Sequence, residues 1–146
     1  MKRLLLTFCL IAFCSVSMVN AQSRVKSKDL RGVWKLVIPF DEEGDTPGER
    51  VILNAVEGLI DEIDIYFEFK KDNRVKVTTN AFGDEDVEYS EWHINKDGSL
   101  SIGGTDDFES GDSVWMFDGR RLASYEYNRR GKLVKDGDVH MRRVKR

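Results

Sequence analysis

Carboxylates crowd three short stretches of this sequence: Asp41-Glu42-Glu43-Gly44-Asp45, Gly83-Asp84-Glu85-Asp86, and the run from Thr105 to Asp112. Oxygen ligands at alternating loop positions, closed by a bidentate glutamate, would bind calcium. None of the three has that spacing, and solvated loops between strands account for them. The two histidines, His93 and His140, each stand between apolar neighbours and form no ligand pair, so each reads as an outward-facing strand residue. No Gly-x-Ser-x-Gly elbow occurs, and a carboxylate pair for acid–base work cannot be picked without geometry. Arg142, Arg143, Lys145 and Arg146 could attract an anion, but a last strand with one arginine turned inward and the rest solvated explains them as well. Arg129, Arg130, Lys132 and Lys135 belong to a turn. The sequence therefore assigns no catalytic residue, no cofactor and no metal.

Large rings are the other candidates for contact with a ligand. Phe67, Phe69, Trp92, Trp115, Phe117 and Tyr125 lie on strand-like segments, together with Ile63, Ile65, Leu100, Ile102 and Leu122. An eight-stranded barrel is just wide enough for its side chains to fill it or to hold one small ligand. Either these rings line a cavity for an apolar molecule, or they pack into a dry core.

The N-terminal residues bear on where a ligand would be met. Lys2 and Arg3 precede an apolar run from Leu4 to Val19, and Val19 and Ala21 stand where a signal peptidase reads small residues. The pattern predicts a cleaved signal peptide over residues 1–21. The run is short for a bilayer span and lacks a stop-transfer cluster, so no stable membrane anchor is expected. Cys9 and Cys14 each follow a phenylalanine rather than the small residue that lipid attachment needs, and both fall inside the leader. The remaining 125 of 146 residues thus carry no thiol and no disulfide, and they suffice for one domain. They hold 21 basic and 26 acidic side chains, a formal charge of −5, which argues against nucleic acid or an anionic membrane as partner. No Asn-x-Ser/Thr sequon is present. The expected location is the periplasm or the outside of the cell.

Residues 22–29 are polar and read as a flexible arm, with the domain expected over 30–146. From there the apolar pattern has period two. Val33, Trp34, Leu36 and Ile38 open a first strand, and Ile63, Ile65, Phe67 and Phe69 alternate with Asp64, Tyr66, Glu68 and Lys70. A turn at Lys71-Asp72-Asn73 leads to Val75 and Val77. The next strand changes parity between Val87 and Tyr89 on one face and Trp92 and Ile94 on the other, which predicts a bulge near Ser90 or Glu91. Asp97-Gly98 and Asp118-Gly119 read as two-residue hairpin turns, and a last strand is expected from Asp138 to Lys145. One segment has helical spacing instead. Val51, Ala55 and Leu59, with Ile52, Val56 and Ile60, predict an amphipathic helix over 49–62. The expected architecture is all-β with one helix: about eight antiparallel strands in an up-and-down barrel, which removes exposed edges, with a two-sheet sandwich as the competitor.

The opening strand, Leu30-Arg31-Gly32-Val33-Trp34-Lys35-Leu36, resembles the Gly-x-Trp opening of lipocalins and the wider calycin superfamily. The helix between first and second strands is similar in place to that of fatty-acid-binding proteins. As a whole, residues 30 to 145 resemble small secreted bacterial lipocalin-like domains of unassigned function. The resemblance implies that Gly32, Trp34 and Arg143 close one end of the barrel, with the arginine over the indole face. The aromatic inner face, Phe67, Phe69, Trp92, Trp115, Phe117 and Tyr125, supplies the expected contacts for a small hydrophobic ligand. Two departures stand out. The Thr-Asp-Tyr-type motif of lipocalins is replaced by Phe117-Asp118-Gly119-Arg120-Arg121, and Arg142-Arg143-Val144 lacks the tyrosine of the fatty-acid grip.

These readings converge on an exported, lipocalin-like barrel that binds a small apolar or amphipathic molecule without catalysis. A filled barrel acting as an envelope interaction or structural module, with acidic loops as its contact surface, stands beside it. An enzyme with a site in the barrel mouth is the third reading. No protein partner is named by the sequence.

Overall fold

The computed structural model describes residues 22–39, 62–106 and 111–145. The leader, the acidic stretch at 41–45 and, apart from Glu62, the helix expected over 49–62 lie outside the described residues. Nine strands are present among them: β1 (Gln22–Ser23), β2 (Val33–Val37), β3 (Ile63–Phe69), β4 (Arg74–Ala81), β5 (Asp84–Ile94), β6 (Leu100–Ile102), β7 (Val114–Asp118), β8 (Arg121–Tyr127) and β9 (Leu133–Arg143). The last eight form one ring-like antiparallel sheet, in which each strand pairs with the next in sequence and β9 returns to β2. The short turns from β3 to β6 and from β7 to β9 allow only neighbour-to-neighbour pairing, and return of the last strand to β2 leaves neither as an open edge.

The ring is thinnest between β6 and β7, where Leu100 and Trp115 form the single register pair. There the stretch expected as a flexible arm is instead built into the structure. β1 pairs with the free part of the β7 edge, Ser23 opposite Phe117. Val25 is buried and donates its amide to the Gly98 carbonyl at 2.8 Å. A 3₁₀ turn, Ser27–Leu30, then buries Leu30. The physical reason is the unpaired edge: backbone groups of β7 beyond its short contact with β6 need partners. Gly98 serves this junction twice, since its φ of +88° disfavours a side chain and a Cβ there would come within 2.5 Å of the Arg24 stem.

Three local expectations are corrected. β5 has no bulge: its register against β4 runs unbroken from Arg74↔Glu91 to Ala81↔Asp84. Val87 and Tyr89 simply face outward, and the Tyr89 ring is covered by Arg74, 5.5 Å from its centroid. The irregularity lies between β8 and β9, where the register shifts between Ala123 and Tyr125, and β9 begins at Leu133 rather than at 138. Asp97-Gly98 belongs to a three-residue loop, closed by Asn95 N to Ser99 O at 2.7 Å, whereas β7 and β8 are joined by a two-residue connection one position later than expected, Gly119-Arg120, with Asp118 opposite Arg121. At the β4–β5 turn, exposed Phe82 adopts φ +53°, a conformation that costs a bulky residue energy.

Alternation sorts the side chains. Phe67, Phe69, Val75, Val77, Trp92, Leu100, Ile102, Trp115, Phe117, Leu122 and Met141 pack into one interior cluster with Trp34 and Leu30. Phe69 and Trp92 meet edge to face, with centroids 5.9 Å apart, and Trp34 tilts against Phe117 at 6.0 Å. Both indole N–H groups are satisfied: Trp92 Nε1 donates to the Arg74 carbonyl at 3.1 Å and Trp34 Nε1 to the Leu30 carbonyl at 2.8 Å. The opposite face of β7 and β8 carries a second cluster of Val114, Met116, Ala123 and Tyr125.

The loop after β5 is tied to β8 by a carboxylate. Asp97 accepts from Ser99 Oγ at 2.7 Å, from Ser99 N at 2.9 Å, and from the Tyr127 hydroxyl. These bonds, the serine's first, hold the Asp97 carboxyl below its ordinary value of 3.8. A lowered pKa contributes stability that is complete above the unfolded value and is lost as pH falls through the folded one. Asp97→Asn should therefore lower the urea midpoint at neutral pH, and the gap to the parent protein should narrow as pH drops well below 3.8. Trp34 is 1% exposed, so Trp34→Ala should destabilise by about 3–5 kcal/mol in chemical denaturation. A loss below about 1 kcal/mol would show that the ring is not core.

Candidate functional site

β2 and β9 pair so that Trp34 stands opposite Arg143. Gly32, at φ +111°, turns the chain into β2 where an L side chain would be strained. Arg143 lays its guanidinium over the indole, 4.8 Å from the ring centroid, and donates Nη2 to the Asp29 carbonyl in the turn before β2. Val144 N closes the ladder on Val33 O at 2.8 Å. An arginine over a tryptophan face contributes about 0.5–2 kcal/mol. Its charge meets a ring and a carbonyl dipole, with no carboxylate in an ion pair among the described residues.

Beside this stack opens a cleft of about 670 Å³. Trp34, Phe117 and Val144 give it apolar surface, and Lys28, Arg120, Arg121, Arg142, Arg143 and Lys145 give it positive charge. Asp29, Asp118 and His140 complete the lining. Asp118 is shared by two cations, with Arg121 Nη2 at 3.2 Å and Lys135 Nζ at 3.4 Å from the same oxygen. Arg121, then Lys135, holds its carboxyl below the usual range against the opposing effect of burial. A second recess of about 220 Å³ lies between Lys28, Arg31, Lys70, Lys71, Phe69 and Trp92, so basic side chains continue around Lys28. Such a surface can hold a molecule with an apolar part and a polar head.

The structure separates the residues expected to bind. Phe67, Phe69, Trp92, Trp115 and Phe117 do come together, but as packed neighbours in the interior cluster. Tyr125 is not among them. It pairs with Val114 and lies with the second cluster on the outer face, because β8 alternates Leu122 and Ser124 inward against Ala123 and Tyr125 outward. Of the six rings, only Phe117 also lines the cleft. His93 is exposed, and His140 places Nδ1 2.7 Å from the Asp138 carbonyl.

Of the cationic lining, the sequence marks Arg142, Arg143 and Lys145, as one arginine turned inward and the rest solvated, and does not single out Lys28, Arg120 and Arg121 as a group. The lining residues lie far apart in the chain, at the turn before β2, the β7–β8 hairpin and the end of β9. Two arginine pairs, Arg120-Arg121 and Arg142-Arg143, were the available signal, and the β8–β9 pairing brings them side by side. In comparisons with known proteins, no family model matches this chain, and no curated protein matches it.

Proposed function

We propose that this chain is a non-enzymatic binding module of lipocalin-like type, exported by residues 1–21, which holds a small amphipathic molecule in the periplasm or outside the cell. The observation that carries this reading is the cleft of about 670 Å³, which joins aromatic surface at Trp34 and Phe117 to a rim of cations. Its volume falls within the range of small-molecule sites, which are mostly apolar with a few placed polar groups. The Gly32-x-Trp34 opening, the neighbour-to-neighbour strand order and the Arg143 stack support the lipocalin-like part. The site differs from the expected one. Of the six rings expected to bind, only Phe117 lines the cleft, while the other five pack in the interior or on the outer face of β7 and β8, so the ligand belongs at the Trp34 end.

A second reading draws on that same packed interior: a filled ring that serves as an interaction or structural module of the envelope. The two are told apart with a neutral apolar reporter dye, N-phenyl-1-naphthylamine, and native mass spectrometry of protein isolated from its own host. A binding module should enhance the dye's fluorescence saturably, quench Trp emission in parallel, and carry a co-purifying small mass. Linear, unsaturable enhancement together with a bare protein mass would remove the binding reading and leave the module.

A further inference from the structure

We infer that the cleft selects a free amphiphile by a compact anionic head, such as a phosphate or sulfate monoester, held between β8 and β9; this rests on the reading of the cleft as an amphiphile site. The register carries the inference. Arg121 stands directly opposite Arg142 in the β8–β9 ladder, and Lys35 stands opposite Arg142 in the β2–β9 ladder. Three cations thus sit side by side across three strands, and like charges directly opposite one another destabilise a sheet. Two of them are compensated, Arg121 by Asp118 and Lys35 by Asp64. Arg142, in the middle, has only a longer-range attraction to Asp64, which Lys35 already pairs, and it forms no ion pair within 4.0 Å among the described residues; neither do Arg120 and Lys145 on the same cleft.

This concentration occurs in a chain whose formal charge is −3, with 26 acidic side chains available to neutralise it. A fold that only needed solubility would intersperse the signs. A bound anion removes the repulsion and offers acceptor oxygens to the planar guanidinium forks, which suit phosphate geometry in a way a lysine does not. The apolar tail of the same molecule has Trp34, Phe117 and Val144 to lie against.

Dodecyl phosphate and dodecanol, both kept monomeric, are compared as displacers of N-phenyl-1-naphthylamine. The phosphate should bind roughly ten-fold tighter or better, with the preference shrinking as salt screens the site. Arg142→Gln and Arg121→Gln should each cut the phosphate-over-alcohol ratio by about ten-fold. Without ligand, Arg142→Gln should also raise the urea midpoint, because the opposed pair is gone. Equal binding of phosphate and alcohol, with the dye still bound, would overturn the anion inference while leaving amphiphile binding intact. Failure of the dye itself to bind would overturn both. A lower urea midpoint for Arg142→Gln would assign that arginine a structural partner and overturn the inference. So would pelleting with phosphatidylglycerol vesicles in place of binding to the monomer, since the occupant would then be a membrane.

Discussion

Ring closure depends on one long-range pairing, β2 with β9. Within the ring, every other strand contact joins sequence neighbours through a turn or a single connection, and only the short β1–β7 pairing outside it is also non-local. Only this one brings together residues as distant as Asp29 and Arg143, 114 positions apart. The entropy of closing so large a loop must be offset by what forms at the seam. What forms is a four-pair register from Trp34↔Arg143 to Val37↔His140, a guanidinium on an indole, and a buried ring whose N–H reaches the Leu30 carbonyl. Without it, β2 and β9 would be two open edges, and the interior cluster would lose Trp34 and Met141 together. The seam is also why folding should be slow for the chain's size, since the nucleus needs a non-local contact.

The same seam gives the molecule its uneven surface. Because β9 must place Arg143 inward over Trp34, alternation sends Arg142 outward, and the ladders set it between Arg121 and Lys35. The turn before β2 adds Lys28, and the β7–β8 hairpin adds Arg120. Acidic side chains collect elsewhere, at Asp84, Glu85 and Asp86 beside the β4–β5 turn. An overall acidic protein therefore has a basic end, and that end holds the larger described cleft. The interior, by contrast, is occupied by rings that pack on one another, as suits an eight-stranded ring with large side chains. The packed interior and the cleft at the end share two residues, Trp34 and Phe117.

Much of the fold could be read before the structure because strand alternation is a local signal. Ile63, Ile65, Phe67 and Phe69 face one way, as their spacing implies, and a tight hairpin forms beside Asp118, its two turn residues being Gly119-Arg120. The errors have physical causes. Val87 and Tyr89 look like inward residues, yet an arginine covering Tyr89 makes an outward ring tolerable. Tyr125 looks like a lining residue, yet β7 and β8 are buried on both faces, so a buried ring there need not face inward. The polar stretch 22–29 gave no hint of order because its partner is an unpaired edge, which composition does not record. Least legible was the cleft, since its cations come from three places in the chain and each, taken alone, is an ordinary surface residue.

Placement of the site at the Trp34 end, rather than inside the ring, is tested most directly by two-dimensional NMR during a titration with monomeric dodecyl phosphate. The largest shifts should fall on the Trp34 indole N–H and on the amides of Gly119, Arg121, Arg142 and Val144. Shifts confined to interior strand amides such as Phe67, Val77 and Ile102, with the Trp34 end unmoved, would contradict it.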